Sequence, residues 1–178
     1  MPHIAIPEGL PGIRGPLSLR PDVAQPLSAL MEVLMRDANT LSRGERELIA
    51  AYVSYLNECF FCEQAHGGVA QHYLQCDLDL IQQVKKDFHA TTLSKKLKAL
   101  LTIAGSVQKG GKQVTNEQVE VAKQAGATDV EIHDTVLIAA AFCMFNRYTD
   151  GLATWAPTDI QFYIDRAPHI AALGYKIE

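Results

Sequence analysis

A chain of 178 residues, 48% of them apolar, can bury one substantial core, and nothing in its length demands a second domain. The formal net charge of −4 and the scattered Lys and Arg leave no basic footprint, so nucleic acid is not an expected partner. The longest apolar run, Val136 to Phe145, is far short of the ~20 residues a membrane span needs and reads as a buried core helix.

Residues 1–20 carry Pro and Gly every few positions and read as an extended N-terminal arm of a single domain spanning residues 1–178. The opening segment MPHIAIPEGLPGIRG has no continuous apolar stretch of the kind a secretory signal shows, so a cytoplasmic location is expected. The arm's Ile4, Ile6, Leu10, Ile13 and Leu17 have too little periodicity to form a core of their own. They suggest an arm lying across a neighbour in a homo-oligomer.

From Pro21 to about Asp37, Val23, Leu27, Leu30, Met31 and Leu34 recur at helical spacing, with Pro21 in the first turn. Ser42 followed by Glu45 is a capping box that starts a second helix, about Arg43 to Leu56. Asn57-Glu58 is a break, and Cys59 is expected to open a third helix reaching about Gln75. Asp77 can cap LDLIQQVKKD, and Ser94 can cap KKLKALLTIAGSVQ, which stops at Gly110-Gly111. Thr115 with Gln118 and Thr128 with Glu131 are two more capping boxes, heading a short helix to Gln124 and a long one to about Tyr148. A last helix should follow Pro157-Thr158 and run to about Leu173, with Pro168 kinking it or starting a new turn. No segment alternates like a strand, so the fold class is all-α: a bundle of about seven or eight helices joined by short loops.

One internal echo is visible. LIAAYVSYLNE at Leu48 to Glu58 and LIAAAFCMFNR at Leu137 to Arg147 share LIAA and the later Asn, compatible with a duplicated helical hairpin. Tyr148 stands in the second copy where Cys59 stands in the first.

Chemistry concentrates in the string E-x11-C-x2-C-x3-H formed by Glu47, Cys59, Cys62 and His66. On a helix, Cys59, Cys62 and His66 share one face and Cys62 and His66 are neighbours. A thiol beside an imidazole and near a helix N-terminus is a candidate thiolate, the form that attacks peroxides and disulfides. Glu47 could orient the imidazole and stabilise its charged form, whereas Glu45 is claimed by the capping box with Ser42. Gly67-Gly68 inside a helix costs roughly 1 kcal/mol per Gly relative to Ala and implies close packing against another backbone.

The competing reading of the same cluster is a Zn or Cu site, with His72 or Cys76 joining Cys59, Cys62 and His66. Ligands strung along one straight helix do not easily surround a tetrahedral ion. Cys143 lies within the apolar run and reads as a core residue, while His72, His89, His133 and His169 have no partner set in sequence. No Gly-rich nucleotide loop follows a strand, so no bound NAD(P)H, flavin or other cofactor is expected, and a dithiol donor must supply the electrons.

The stretch LSRGERELIAAYVSYLNECFFCEQAHGG resembles the carboxymuconolactone decarboxylase/alkyl hydroperoxidase D-like superfamily, in particular its peroxidase-related branch. The PGI of the arm and the AAF…NR…D pattern from Ala140 to Asp150 are similar too. The resemblance implies an all-helical fold, trimers, hexamers or related homo-oligomers, and a disulfide-cycling antioxidant activity on a peroxide or disulfide substrate. It places Glu47, Cys59, Cys62 and His66 at the relay and redox-pair positions. Phe61 stands where the best-studied pattern has a second histidine, which removes one proton carrier. Decarboxylases of the superfamily share the fold but lack the Cys pair, so a decarboxylase-like activity is only an alternative.

Overall fold

A computed structural model describes residues 1–175, and those residues form nine α-helices and two short 3-10 turns. They are α1 (Arg14–Ser18), α2 (Pro21–Arg36), α3 (Arg43–Leu56), α4 (Phe60–Leu74), α5 (Leu78–Asp87), α6 (Lys95–Lys109), α7 (Asn116–Gln124), α8 (Asp129–Gly151) and α9 (Ile160–Leu173). The all-α expectation holds: among the described residues there is no strand.

The helix starts follow local chemistry. Ser42 Oγ accepts from the Glu45 N–H at 3.2 Å while the Ser42 N–H donates to Glu45 Oε2 at 2.8 Å, and the same reciprocal boxes form at Thr115/Gln118 and Thr128/Glu131. Ser94 caps α6 through the Leu97 N–H. Asp77 precedes α5 without a side-chain cap, so that start rests on packing of Ile81 and Val84 instead. Pro168 starts no new turn: it lies inside the continuous α9, with its ring on the exposed side.

Helix α3 is central, packed by α2, α4, α5, α6 and α8, and α9 lies on α4. Leu48, Ile49, Ile81, Leu100, Leu101, Ile103 and Ile138 are fully buried in one continuous cluster. Each such side chain contributes roughly 1.5–3 kcal/mol of transfer free energy. Arg46 is also buried, and its guanidinium donates to the carbonyls of Leu34 and Asp37 at the C-terminal end of α2, groups that have no partner within that helix.

Three expectations change in detail. The N-terminal arm is not extended throughout, since Arg14–Ser18 form α1, and Ile13 and Leu17 pack on this chain's own interior rather than standing free. The run Val136 to Phe145 is not buried all round: Ile138, Ala139, Ala141, Phe142 and Phe145 face inward while Leu137 and Met144 are exposed. Helix α8 also continues past Tyr148 to Gly151. The Gly67-Gly68 inference stands, because a Cβ at Gly68 would sit 3.2 Å from the Tyr163 backbone oxygen of α9. No helix among the described residues is long and apolar enough to cross a membrane.

Candidate functional site

The site begins where α3 stops. Glu58 adopts a left-handed backbone (φ 61°), its N–H donates to the Tyr55 carbonyl at 2.9 Å, and the Cys59 N–H donates to the Ser54 carbonyl at 3.0 Å. These are the two bonds of a Schellman turn, which turns the chain sharply out of the helix. Cys59 then caps α4 in extended conformation rather than opening it as a helical residue, and its carbonyl accepts from the Glu63 N–H at 2.9 Å. Both thiols therefore lie at the N-terminal end of α4, where the helix dipole favours negative charge.

The Cys59 and Cys62 sulfurs are 2.7 Å apart, and both are free thiols. Cys59 is fully buried. Its hydrogen bond to Cys62, its burial and the charge on Cys62 all push the Cys59 thiol far above the usual cysteine range, so Cys59 keeps its proton and donates to Cys62. Asp150 is a neighbour of Cys59: burial pushes its carboxyl up, and the nearby Cys59 thiol acts in the opposite direction. Cys62 also lies 3.9 Å from Thr149 Oγ1, a long and weak contact.

Glu47 and His66 meet from two helices. His66 Nδ1 donates to Glu47 Oε2 at 2.7 Å, and Glu47 is only 1% exposed. The ring packs edge-on against Phe142 of α8, with centroids 4.5 Å apart. Tyr175 stacks on its other side and donates its phenol to Glu47 Oε1 at 2.5 Å. Glu45 remains in the capping box, so the two carboxylates divide as the sequence suggested.

The expected direct Cys62–His66 contact is replaced by a looser arrangement. No hydrogen bond joins them among the described residues; the ring commits Nδ1 to Glu47, which leaves Nε2 for proton exchange. Both side chains instead line a common cavity of about 350 Å³. Leu27, Met31, Phe61, Phe142, Phe162 and Leu173 make its walls largely apolar, with Arg166 and His169 among its polar lining groups. Phe61, where a second histidine was the family expectation, packs its ring against Gly12 and edge-on to Tyr163, so it pins the arm over the site. Burial and the nearby Cys62 and Cys59 sulfurs push the Tyr163 phenol up to about 12.

The proposed extra metal ligands do not join this group. His72 is exposed beside Tyr73, and Cys76 packs against the core. Among the described residues no three His, Cys, Asp or Glu side chains are arranged to hold a metal ion. Three neighbours of the site went unread in sequence: Thr149, Asp150 and Tyr175. Asp150 lay within the AAF…NR…D pattern, but Tyr175 follows the last helix and carried no local signal.

An all-helical bundle that presents a Cys-x2-Cys pair at a helix N-terminus beside a Glu–His pair defines an alkyl hydroperoxidase D-like class of protein. The chain belongs to the carboxymuconolactone decarboxylase family, whose model matches residues 21–73 and 79–156. Among solved structures it is similar to an alkylhydroperoxidase AhpD core, an uncharacterized peroxidase-related protein from Ralstonia eutropha. The two are 27% identical with a TM-score of 0.77, covering 84% of this chain and 78% of that one. It is similar also to an uncharacterized peroxidase-related protein from Silicibacter sp., with 25% identity, a TM-score of 0.77 and coverage of 86% and 78%. A protein of unknown function from Agrobacterium tumefaciens shares the fold at 19% identity, with a TM-score of 0.71 over 80% of this chain and 96% of that one. Among curated proteins, none matches this chain.

Proposed function

We propose that this protein is a thiol-dependent peroxidase or disulfide oxidoreductase that cycles Cys59 and Cys62 between dithiol and disulfide. The observation that carries the reading is the pair of free thiols 2.7 Å apart at the start of α4, one of them lining an apolar cavity together with His66. The belonging to the family and the likeness to peroxidase-related proteins support the same class of chemistry.

Cys62 attacks first. It lines the cavity and accepts the hydrogen bond from Cys59, whereas Cys59 is fully buried and holds its proton. The Cys62 thiolate attacks the terminal oxygen of a hydroperoxide, the O–O bond breaks, and Cys62 becomes a sulfenic acid. The departing alkoxide takes a proton from His66 and leaves as an alcohol. Cys59 then gives its proton to nearby Asp150 as it attacks the sulfenic sulfur, the S–O bond breaks, and the departing hydroxide takes that proton from Asp150 and leaves as water. A dithiol donor reduces the disulfide by exchange and is itself oxidised. Glu47 holds His66 in the tautomer with Nδ1 protonated and supports its charged form.

A homo-oligomer, trimer or hexamer, belongs to the same proposal. Val130, Leu137 and Met144 are exposed at seven-residue steps along one side of α8, an apolar line suited to burial between subunits. Light scattering at micromolar concentration should give a mass above that of one chain, and a monomer rejects this part of the proposal.

The catalytic reading is tested by counting free thiols before and after one equivalent of an organic hydroperoxide. Loss of two thiols, mapped by peptide analysis to a Cys59–Cys62 disulfide, is the expected result. No loss, or a disulfide elsewhere, rejects it.

A further inference from the structure

Behind the Glu47–His66 pair, the segment from Ile170 to Tyr175 is fastened at several points. Arg36 of α2 donates to the carbonyls of Ile170, Ala171 and Ala172, the last acceptors of α9, and Tyr73 of α4 donates to Ala171 at 3.0 Å. Arg36 is itself held by Glu32 at 2.9 Å. Glu32 Oε1 then accepts the Tyr175 N–H at 2.5 Å, and Gly174 makes this approach possible: its φ is 85° and a Cβ there would collide with the Glu32 carboxylate. Five contacts from α2 and α4 thus converge on a tail whose last described residue reaches the site.

That residue completes the Glu47 carboxylate. One oxygen of Glu47 accepts from His66 and the other accepts from the Tyr175 phenol, while the Tyr175 ring lies over the imidazole at 5.4 Å and 27°. The phenol oxygen is also 3.2 Å from His66 Nδ1. Tyr175 lines the same cavity as Cys62, so it stands between cavity and carboxylate.

We propose that Tyr175 is a positioning residue for the candidate relay: its phenol holds Glu47 aligned on His66 Nδ1, and its ring screens Glu47 from the cavity that His66 lines. The proposal rests on the relay reading of Glu47 and His66. The charged and titratable groups facing Tyr175 are Glu47 from α3, His66 and Tyr73 from α4, and Glu32 and Arg36 from α2. Burial and the Glu47 charge hold the phenol well above the ordinary tyrosine range, so it stays a donor throughout the working pH range. A buried carboxylate that loses one donated hydrogen bond binds a proton more tightly, whether the proton rests on the carboxylate or on its imidazole partner.

The test reads the histidine directly. In full-length protein with 15N-labelled histidine, the His66 resonances are assigned by their loss in His66→Gln, and their pH titration is followed in wild type, Tyr175→Phe and Tyr175→Leu. Tyr175→Phe keeps the ring and the backbone anchor and removes only the hydroxyl. The expected result is a titration midpoint for the Glu47–His66 pair at least about half a pH unit higher in Tyr175→Phe, and no smaller a shift in Tyr175→Leu. A midpoint that is unmoved or lowered in Tyr175→Phe overturns the assignment whatever Tyr175→Leu does, since a residue that merely anchors the tail or covers the ring would leave His66 unchanged on loss of the hydroxyl. Peroxide turnover of the wild type is measured separately. A moved midpoint in a protein without turnover upholds Tyr175 as the positioning residue and rejects only the peroxidase reading.

Discussion

Helices α3 and α8 share a short pattern, LIAA and a later Asn offset by 89 residues, and put it to different use. They pack against each other, and their shared asparagines meet: Asn57 Nδ2 donates to Asn146 Oδ1 at 2.9 Å, and Asn146 Nδ2 donates to Ser54 Oγ at 3.0 Å. Up to those asparagines both are regular helix. One residue later they part. Glu58 turns left-handed and ends α3, so Cys59 caps a new helix, whereas Arg147 stays helical and Tyr148, opposite Cys59 in the echo, remains inside α8. At the other end of the echo, α3 has Glu47 where α8 has Val136. Helix α8 serves as a wall instead, supplying Phe142 to His66 and Thr149 to Cys62. The difference teaches that a single backbone turn, and not the shared helix, is what places thiols at a helix N-terminus.

The largest effects should come from erasing what only the first copy has. Cys59→Ser and Cys62→Ser are each expected to abolish peroxide-driven turnover, measured as peroxide consumption with a dithiol donor. Cys143→Ser makes α8 match Ser54 of α3 at the corresponding position, and it should leave turnover within a few-fold, as should Cys76→Ser. Retained turnover in both Cys59 and Cys62 variants would sink the redox proposal.

Stability should not discriminate between the copies. Ile49 and Ile138 occupy equivalent positions and both are fully buried. Ile49→Ala and Ile138→Ala should each cost about 2–5 kcal/mol in denaturant unfolding. A loss under about 1 kcal/mol in either would mean that the two helices do not share one core.

The helix pattern was readable because helix starts are local. Ser42, Ser94, Thr115 and Thr128 each announce a helix within three residues, and each forms the bond expected of it. The proximity of Cys59 to Cys62, and of Glu47 to His66, was also legible, one pair from spacing within a turn and the other from chemical type. What escaped depends on distant chain. Tyr175 reaches Glu47 across 128 residues, and only the docking of α9 by Arg36 and Tyr73 brings it there. The missing Cys62–His66 bond escaped for a related reason: ring orientation is set by a carboxylate on another helix, which periodicity along α4 cannot report.

Glu47 itself offers a smaller functional contrast. Glu47→Gln and His66→Gln should each slow turnover, the second by about a hundredfold if His66 is the general acid. Because Glu47 acts through His66, the double variant should be little slower than His66→Gln alone. Multiplying losses would show that the two groups act independently.

The smallest effect tests the turn where the copies diverge, and its value lies in its sign. Glu58 holds a positive φ that costs an L-residue roughly 1 kcal/mol or more and that glycine adopts freely, while its side chain is exposed. Glu58→Gly should therefore raise unfolding free energy by about 0.5–1 kcal/mol, the gain being partly offset by the greater freedom of glycine in the unfolded chain. Arg147 is its counterpart in α8, exposed and fully helical. Arg147→Gly should lower unfolding free energy by about 1 kcal/mol. In a chain of this size the two variants would move the melting temperature by roughly 2–4 °C in opposite directions, which calorimetry resolves. Equal signs would contradict the Schellman turn at Glu58. Since no atom of the thiol pair changes, Glu58→Gly should also keep peroxide turnover within a few-fold, and a larger loss would mean that the Glu58 carboxylate itself serves the neighbouring Cys59.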